Sequence, residues 1–203
     1  AGENRYETGA KVSADAFPKP AAVTTAYLAT GASFADALSA GAAAFMNGGP
    51  VVLTTPDALS DEARDELRRL QPDRVVVVGG TVAVSKAVVD QVAGDSAIGA
   101  DVERIGGETR FDTAADVVED AFPGTVDTVF VATGRSFPDA LSGVPAAARY
   151  EAPLLLTEKD TLPAATRDAI ARLKPGRVVI LGGPVAISTA VEDELEALAS
   201  DVD

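Results

Sequence analysis

The sequence contains no cysteine, no histidine and no tryptophan, and a single methionine. Without cysteine there is no disulfide framework, no thiolate nucleophile and no zinc finger. Without histidine a Ser-His-Asp triad and most zinc or iron sites are excluded. Chemistry based on carboxylates and hydroxyls survives. Aromatic residues make up only 5% of the chain, so a core must be built from Ala, Val, Leu and Ile. Positive charge is also scarce: 17 Lys and Arg stand against 31 Asp and Glu, a formal net charge of −14. That balance argues against nucleic acid as a partner, which needs clustered basic side chains to displace counterions. No apolar run approaches the roughly 18 residues of a membrane span, and no charged-then-apolar leader opens the chain. A soluble chain is expected, already trimmed if it is exported.

The 203 residues allow one domain or two of about 100 residues each. An internal repeat decides between them. Shifting the sequence by 103 aligns 26–93 with 129–196 without a gap, and 32 of the 68 paired positions are identical. Ala29–Ser39 (ATGASFADALS) returns as Ala132–Ser142 (ATGRSFPDALS), Pro50–Thr54 as Pro153–Thr157, and Arg74–Ser85 as Arg177–Ser188. Upstream the offset becomes 105, pairing Gly2–Thr8 with Gly107–Thr113, so the first copy carries two extra residues near Pro18–Pro20. The copies are assigned to 1–101 and 102–203. The chain starts inside the motif that introduces the second copy (Val102–Gly107) and stops at Asp201-Val202-Asp203, where another such motif would begin. Two units of a longer protein are therefore expected, with a third unit as a candidate neighbour. No Gly-, Ser- or Pro-rich linker separates the copies, which predicts that they pack together directly.

Within each unit, short β-branched runs alternate with helix-length stretches. In the first copy the runs are Thr25–Thr30, Val51–Thr54 and Val75–Val78, and the helical stretches lie at about 7–17, 34–47, 60–70 and 85–93. Runs without apolar/polar alternation suit strands buried on both faces. Val102–Ile105 adds a strand that either unit could claim. The fold class that follows is α/β, with two tandem repeats, each a parallel β-sheet flanked by helices.

Three motifs recur in both copies. Ser33 and Asp36 follow the first strand, at the strand end where open α/β folds place ligands; Ser136 and Asp139 repeat them. Their spacing is also that of a capping box, with Pro138 in the first helical turn. A cap and a ligand contact are both open readings, and one residue can serve both. Asn4 and Thr109 are expected to cap the next helix type, with Glu7 and Asp112 returning the bond. That leaves Arg5 and Arg110 in a first turn, where a cation opposes the helix dipole unless it has an acidic partner. The partner is either an internal carboxylate such as Asp36 or Asp139, or an external anion gripped by the planar fork. The glycine pairs Gly79-Gly80 and Gly182-Gly183 sit between strand and helix. They admit close approach of a phosphate but match neither nucleotide-binding pattern, and a tight turn explains them. The Ala-rich helices, such as Ala37–Phe45, read as core that permits close packing.

Taken together these residues resemble the type 2 cell wall-binding repeat family, whose pattern joins R-Y-x-T-A, A-T-G-x-x-F-P-D-A-L-S, P-I-L-L-T and L-G-G-x-x-A-V-S segments. Here they stand as Arg5–Thr8 and Arg110–Ala114, Ala29–Ser39 and Ala132–Ser142, Pro50–Thr54 and Pro153–Thr157, and Val78–Ser85 and Leu181–Ser188. The resemblance covers nearly the whole chain in both copies. It implies a Toprim-like module without catalysis, which holds exported proteins on a Gram-positive cell wall by binding anionic wall polymers. It further implies a surface location, an effector domain elsewhere in the protein, and commonly three modules in a ring-like arrangement. The first strand ends in Ala-Thr-Gly, so the carboxylates that hold magnesium in true Toprim enzymes are not matched. Ala35 stands where the family has Pro, and Phe111 where it has Tyr.

The expected function is non-covalent anchoring to an anionic cell-wall polysaccharide. Its ligand residues would be Arg5, Arg110, Ser33, Ser136, Asp36, Asp139, Gly79, Gly80, Gly182 and Gly183. No cofactor is expected, except that a divalent cation could bridge an acidic protein and an acidic polymer, since like net charges repel at low salt. The rivals are a self-assembling surface module that binds no sugar and, last, a carboxylate-based hydrolase.

Overall fold

The β-branched runs pair into parallel strands because each is apolar on both faces, and the stretches between them fold as helices that cover those faces. The structure, a computed structural model, describes residues 1–19 and 22–200. Pro20, within the two-residue difference between the copies, and the closing Asp201–Asp203 lie outside the described residues. The first unit contains α1 (Arg5–Ala16), β1 (Thr25–Thr30), α2 (Ala35–Met46), β2 (Val51–Thr54), α3 (Asp61–Leu70), β3 (Arg74–Val78), α4 (Lys86–Ala93) and β4 (Asp101–Ile105). The second contains α5 (Arg110–Ala121), β5 (Thr128–Thr133), α6 (Pro138–Arg149), β6 (Leu154–Thr157), α7 (Ala164–Leu173), β7 (Arg177–Leu181) and α8 (Thr189–Ser200).

The two sheets have the orders β2-β1-β3-β4 and β6-β5-β7, and every pairing is parallel. The strand left open by the sequence belongs to the first sheet: β4 pairs with β3 in the register Arg74↔Asp101 through Val78↔Ile105. The division at 101/102 therefore falls inside this strand, and the second repeat contributes to the first sheet.

Alternation sorts the side chains of the central strands β1 and β5 between two buried layers. In the first unit Ala26 and Leu28 face Leu67, Leu70 and Val88 on one side of the sheet, while Tyr27 faces Ala40 and Ala43 of α2 on the other. The buried Tyr27 hydroxyl is satisfied by Asn47, whose amide donates to it at 2.6 Å. In the second unit Val129 and Val131 face Ile170, Leu173 and Val191, and Phe130 and Ala132 face the layer that contains α2 of the first unit. Arg64 and Arg167, identical in the two copies, donate to the carbonyls of Leu59 and Leu162 at 3.1 and 3.3 Å. That local role accounts for their identity without a shared interface.

The helix α2 is common to both units. It covers β1 and also packs on α5, α6 and β6 of the second repeat. Ala35, Asp36, Leu38, Ser39, Ala40, Ala42, Ala43 and Ala44 are all buried, whereas α6 buries Ala140, Gly143 and Ala147. The small residues are what let it fit. A Cβ placed on Gly41 would lie 2.8 Å from Val144 Cγ1, so Val144 is a knob seated on a glycine hole. These two residues occupy the same position in their repeats, as do Phe34 and Phe137, whose rings meet at 5.6 Å. Equivalent helices thus meet where the two copies differ in size.

Making the copies alike at this position should be costly. Gly41→Val is expected to lower unfolding stability by about 1–3 kcal/mol through overpacking, as read from urea denaturation. Gly41→Val combined with Val144→Gly should recover part of the loss. A single variant as stable as the parent would show that α2 and α6 are not tightly seated.

Candidate functional site

The order β2-β1-β3 places a topological switch point between the carboxyl ends of β1 and β3, the position at which open α/β sheets bind ligands. A cleft of about 550 Å³ opens there. Its first wall comes from the first unit: Thr30 at the end of β1, Ser33 and Asp36 at the start of α2, and Gly80–Ala83 after β3. The second wall comes from the other repeat and consists of Gly107–Arg110 and Thr113, around the N-terminus of α5. The site is therefore shared between units. α2 supplies one helix N-terminus and α5 another.

The start of α5 is held by the expected capping box. Thr109 accepts from the amides of Phe111 and Asp112, and the Asp112 carboxylate accepts from the Thr109 amide at 2.8 Å. In α1 only half of that pattern forms: Asn4 accepts from the Glu7 amide at 2.8 Å, but Glu7 turns to the Glu3 amide and to Lys11.

Neither Arg5 nor Arg110 pairs with the internal carboxylates Asp36 or Asp139; each turns first to a backbone carbonyl. Arg5 Nη1 donates to the carbonyl of Gly31, and Arg110 Nη1 to that of Gly134, each at 2.5 Å. The neighbouring ring completes the grip: a Cβ on Gly31 would lie 2.5 Å from Tyr6 Cε1, and one on Gly134 2.7 Å from Phe111 Cε1. Arg-aromatic pairs thus clasp the Ala-Thr-Gly turn of their own unit, a contact between two motifs that lie over twenty residues apart. The two arginines then diverge. Arg110 reaches across the junction, with its guanidinium carbon 6.0 Å from the Phe34 ring centroid, and lines the cleft. Arg5 lies instead on an apolar groove with Leu38, Phe137 and Leu141.

The expected capping box at α2 and α6 does not form. Phe34 and Phe137 are the N-caps, already in the right-handed helical region (φ −94° and −95°), and neither helix has a side-chain cap. Ser33 and Ser136 are exposed one residue upstream. Asp36 does not turn back to its own helix because it faces Gly79, where a Cβ would lie 2.4 Å from Oδ2. Gly79 also has φ +106°, so only glycine suits both the turn and the carboxylate. Asp139 and Gly182 (φ +112°) repeat the contact, but Asp139 is only half-buried. Gly80 lines the cleft, and Gly183 meets nothing nearby.

Asp36 is 8% exposed and makes no hydrogen bond among the described residues. Burial raises its carboxyl above the ordinary aspartate range, and the field of Arg110 from the other unit opposes that rise. Two further arginines escaped the sequence reading. Arg104 on β4 donates to the carbonyls of Gly79 and Val84, both at 2.6 Å, and so fixes the glycine turn from outside. Arg135 pairs with Glu158 at 2.5 Å in a small hollow that also contains Arg110. The only local signal for Arg135 was a difference between copies, since Ala32 takes its place in the first. Among the described residues no three carboxylates converge as a cation site.

Comparison with known proteins places the repeat pattern and the fold. Residues 1–89 and 104–192 match the family described as Cell wall binding domain 2. The chain is similar to the N-acetylmuramoyl-L-alanine amidase LytC of Bacillus subtilis, at 33% identity over 96% of this chain and 38% of that protein. It is also similar to the amidase enhancer of the same organism, at 33% identity over 97% of this chain and 26% of that one. The solved structure of Cwp6 from Clostridium difficile superposes with a TM-score of 0.88 at 25% identity, over 98% of this chain and 31% of that one. Cwp8 from the same organism gives 0.86 at 28%, over the full chain and 33% of that one. The chain thus spans 38% or less of the length of each of these relatives.

The raised Asp36 pKa fixes the sign of a pH effect. Its neutral form is favoured in the fold, so the associated stability is present below the unfolded value and is lost as pH rises through the folded one. Asp36→Asn, neutral throughout, should melt at a higher temperature than the parent near pH 7, and the gap should close toward about pH 4. Circular dichroism melts across that range check this. A variant that melts lower at neutral pH would contradict it.

Proposed function

This chain belongs to the cell wall binding domain 2 family, and from that premise we propose that it is a non-catalytic anchor whose inter-unit cleft holds an anionic wall polysaccharide through Arg110. A module of this family sits at the cell wall; export to the surface and attachment to an effector domain belong to the proposal. The observation that carries the ligand reading is the position of Arg110. One of its N–H groups is committed to Gly134, and the rest of the fork faces a cleft formed by two helix N-termini. Arg135 lies beyond it in the adjoining hollow, already paired with Glu158, so Arg110 is the cation that the cleft offers.

Most of the net charge of −14 acts on this contact from a distance, Asp36 and Glu108 being the acidic groups in the cleft itself. At physiological ionic strength the Debye length is about 8 Å, so a contact at Arg110 is governed by its neighbours more than by the distant acidic surface. The described residues contain no ready-made cation site. A bridging divalent cation would have to be held partly by the polymer, and chelation is a separate arm of the test. The family is one of binding modules, and the likeness to an amidase covers 38% of that enzyme. No hydrolytic step is assigned to this chain.

A second reading, assembly with other units, is favoured by one observation. Leu141 is 56% exposed while its repeat equivalent Leu38 is buried, and Val12 is 63% exposed while Val117, at its place in α5, is fully buried. Light scattering over a range of concentrations would reveal association through these faces.

The anchoring reading has a matched control in the chain itself. Arg110→Ala and Arg5→Ala each remove one turn clasp, but only the first removes a cleft cation. Sedimentation with purified host cell walls should show Arg5→Ala bound like the parent. Arg110→Ala should bind about 10- to 100-fold more weakly, the range of a hydrogen bond to a charged group. Equal binding by both variants would discard the cleft while leaving the anchor.

A further inference from the structure

The cleft has a chemistry that an anion alone does not satisfy. Beside Arg110 it presents two carboxylates, Asp36 in its interior and Glu108 on its wall, together with the hydroxyl side chains of Ser33, Thr81 and Thr109. Asp36 is more than nine-tenths buried, lines the cleft, and accepts no hydrogen bond among the described residues. A largely buried carboxylate to which no group among the described residues donates is left to whatever enters the cleft, and a ligand that supplies a donor gains there. A carboxylate or a phosphodiester brings acceptors only and would meet Asp36 as a like charge. A sugar hydroxyl brings the missing hydrogen.

We propose that the inter-unit cleft is a sugar-ring subsite that reads two features of one residue of the polymer at once: a hydroxyl, donated to Asp36, and a single anionic substituent, bound by Arg110. This rests on the reading of the cleft as the polymer site and specifies what it selects. The recognised unit is a hydroxylated pyranose bearing one acidic group, whether a uronate or a glycosyl phosphate. The volume of about 550 Å³ lies within the range of small-ligand clefts. Ala32, Ala35 and Ala83 give part of it an apolar lining against which the C–H face of a ring can lie, and Val82, 95% exposed, stands beside them. The two reading groups come from different repeats, Asp36 from the first and Arg110 from the second. The described residues therefore hold one such subsite; among them the Asp139 corner is faced by no second helix N-terminus.

The test is a ¹⁵N–¹H correlation titration of the intact chain with four probes: glucuronate, glucose 1-phosphate, methyl glucoside and acetate. At least one of the first two should shift the amides of Gly80, Thr81 and Thr109 saturably. It should bind about tenfold or more tightly than methyl glucoside or acetate, as expected when one charge-assisted hydrogen bond is added. The uronate and phosphate arms identify the acidic group. Asp36→Ala, checked for an unchanged fold by its spectrum, should bring the preferred probe down to the affinity of acetate while leaving acetate no weaker. Arg110→Ala should weaken both. Acetate binding as well as the sugar acids, or sugar-acid affinity unchanged in Asp36→Ala, overturns the proposal. So does the absence of shifts at the cleft with every probe. Each of these can occur while cell walls still sediment the parent chain, which separates failure of the subsite from failure of the anchor.

Discussion

Everything distinctive in this molecule depends on the burial of α2 between two sheets. A helix that covers its own sheet with one face ordinarily turns the other to water. Here Ala35, Leu38 and Ala42 are buried among Phe111, Phe130 and Leu154 of the second repeat, while Ala40, Ala43 and Ala44 pack on Tyr27 and Val76 of the first. That is possible because the helix is made almost wholly of small residues, and because Gly41 yields the space that Val144 fills. Large rings at the buried positions of α2 would push the units apart; the ring it does carry, Phe45, is exposed.

The cleft follows from that packing. Once α2 is pinned between the repeats, its N-terminus at the end of β1 is held beside the N-terminus of α5, and the two walls belong to different units. β4 strengthens the arrangement, because the strand that opens the second repeat is hydrogen-bonded into the first sheet and its Arg104 grips the turn at Gly79. Gly106 seals the contact, since a Cβ there would lie 2.5 Å from the Gly79 carbonyl carbon. Local electrostatics in the cleft then differ from the strongly acidic mean, with one arginine and two helix N-termini set against Asp36 and Glu108.

The strands and helices were legible because their signals are local. Apolar runs without alternation mark β1 and β2 to the residue, and Arg74 merely extends β3 by one. The box at Thr109 and Asp112 was legible for the same reason. The Ser33–Asp36 pair has the same spacing and yet forms no box, because its acid is drawn to Gly79, 43 residues away, a contact that no short window contains. The partners of Arg5 and Arg110 were hidden differently. Each donates to a backbone carbonyl, and backbone carbonyls have no sequence signature. What separated the two arginines was the junction: Arg110 meets the start of α2 in the polar cleft, whereas Arg5 meets Phe137 and Leu141 of the other repeat in an apolar groove.

Repeat identity therefore does not confer identity of role. Asp36 and Asp139 occupy one position in nearly the same eleven-residue motif, yet one is buried at a junction and the other is half-exposed. Leu38 and Leu141 differ in the same way. A side chain here acquires its function from the unit that packs against it, so the number of binding clefts counts junctions rather than repeats. For a polymer ligand this matters, because avidity grows only with sites that one chain can occupy together. The first repeat standing alone would keep its own turn clasp, but it would lose β4 from its sheet and lack the wall that faces Asp36. The two-unit assembly is thus the smallest piece of this sequence in which the cleft exists at all.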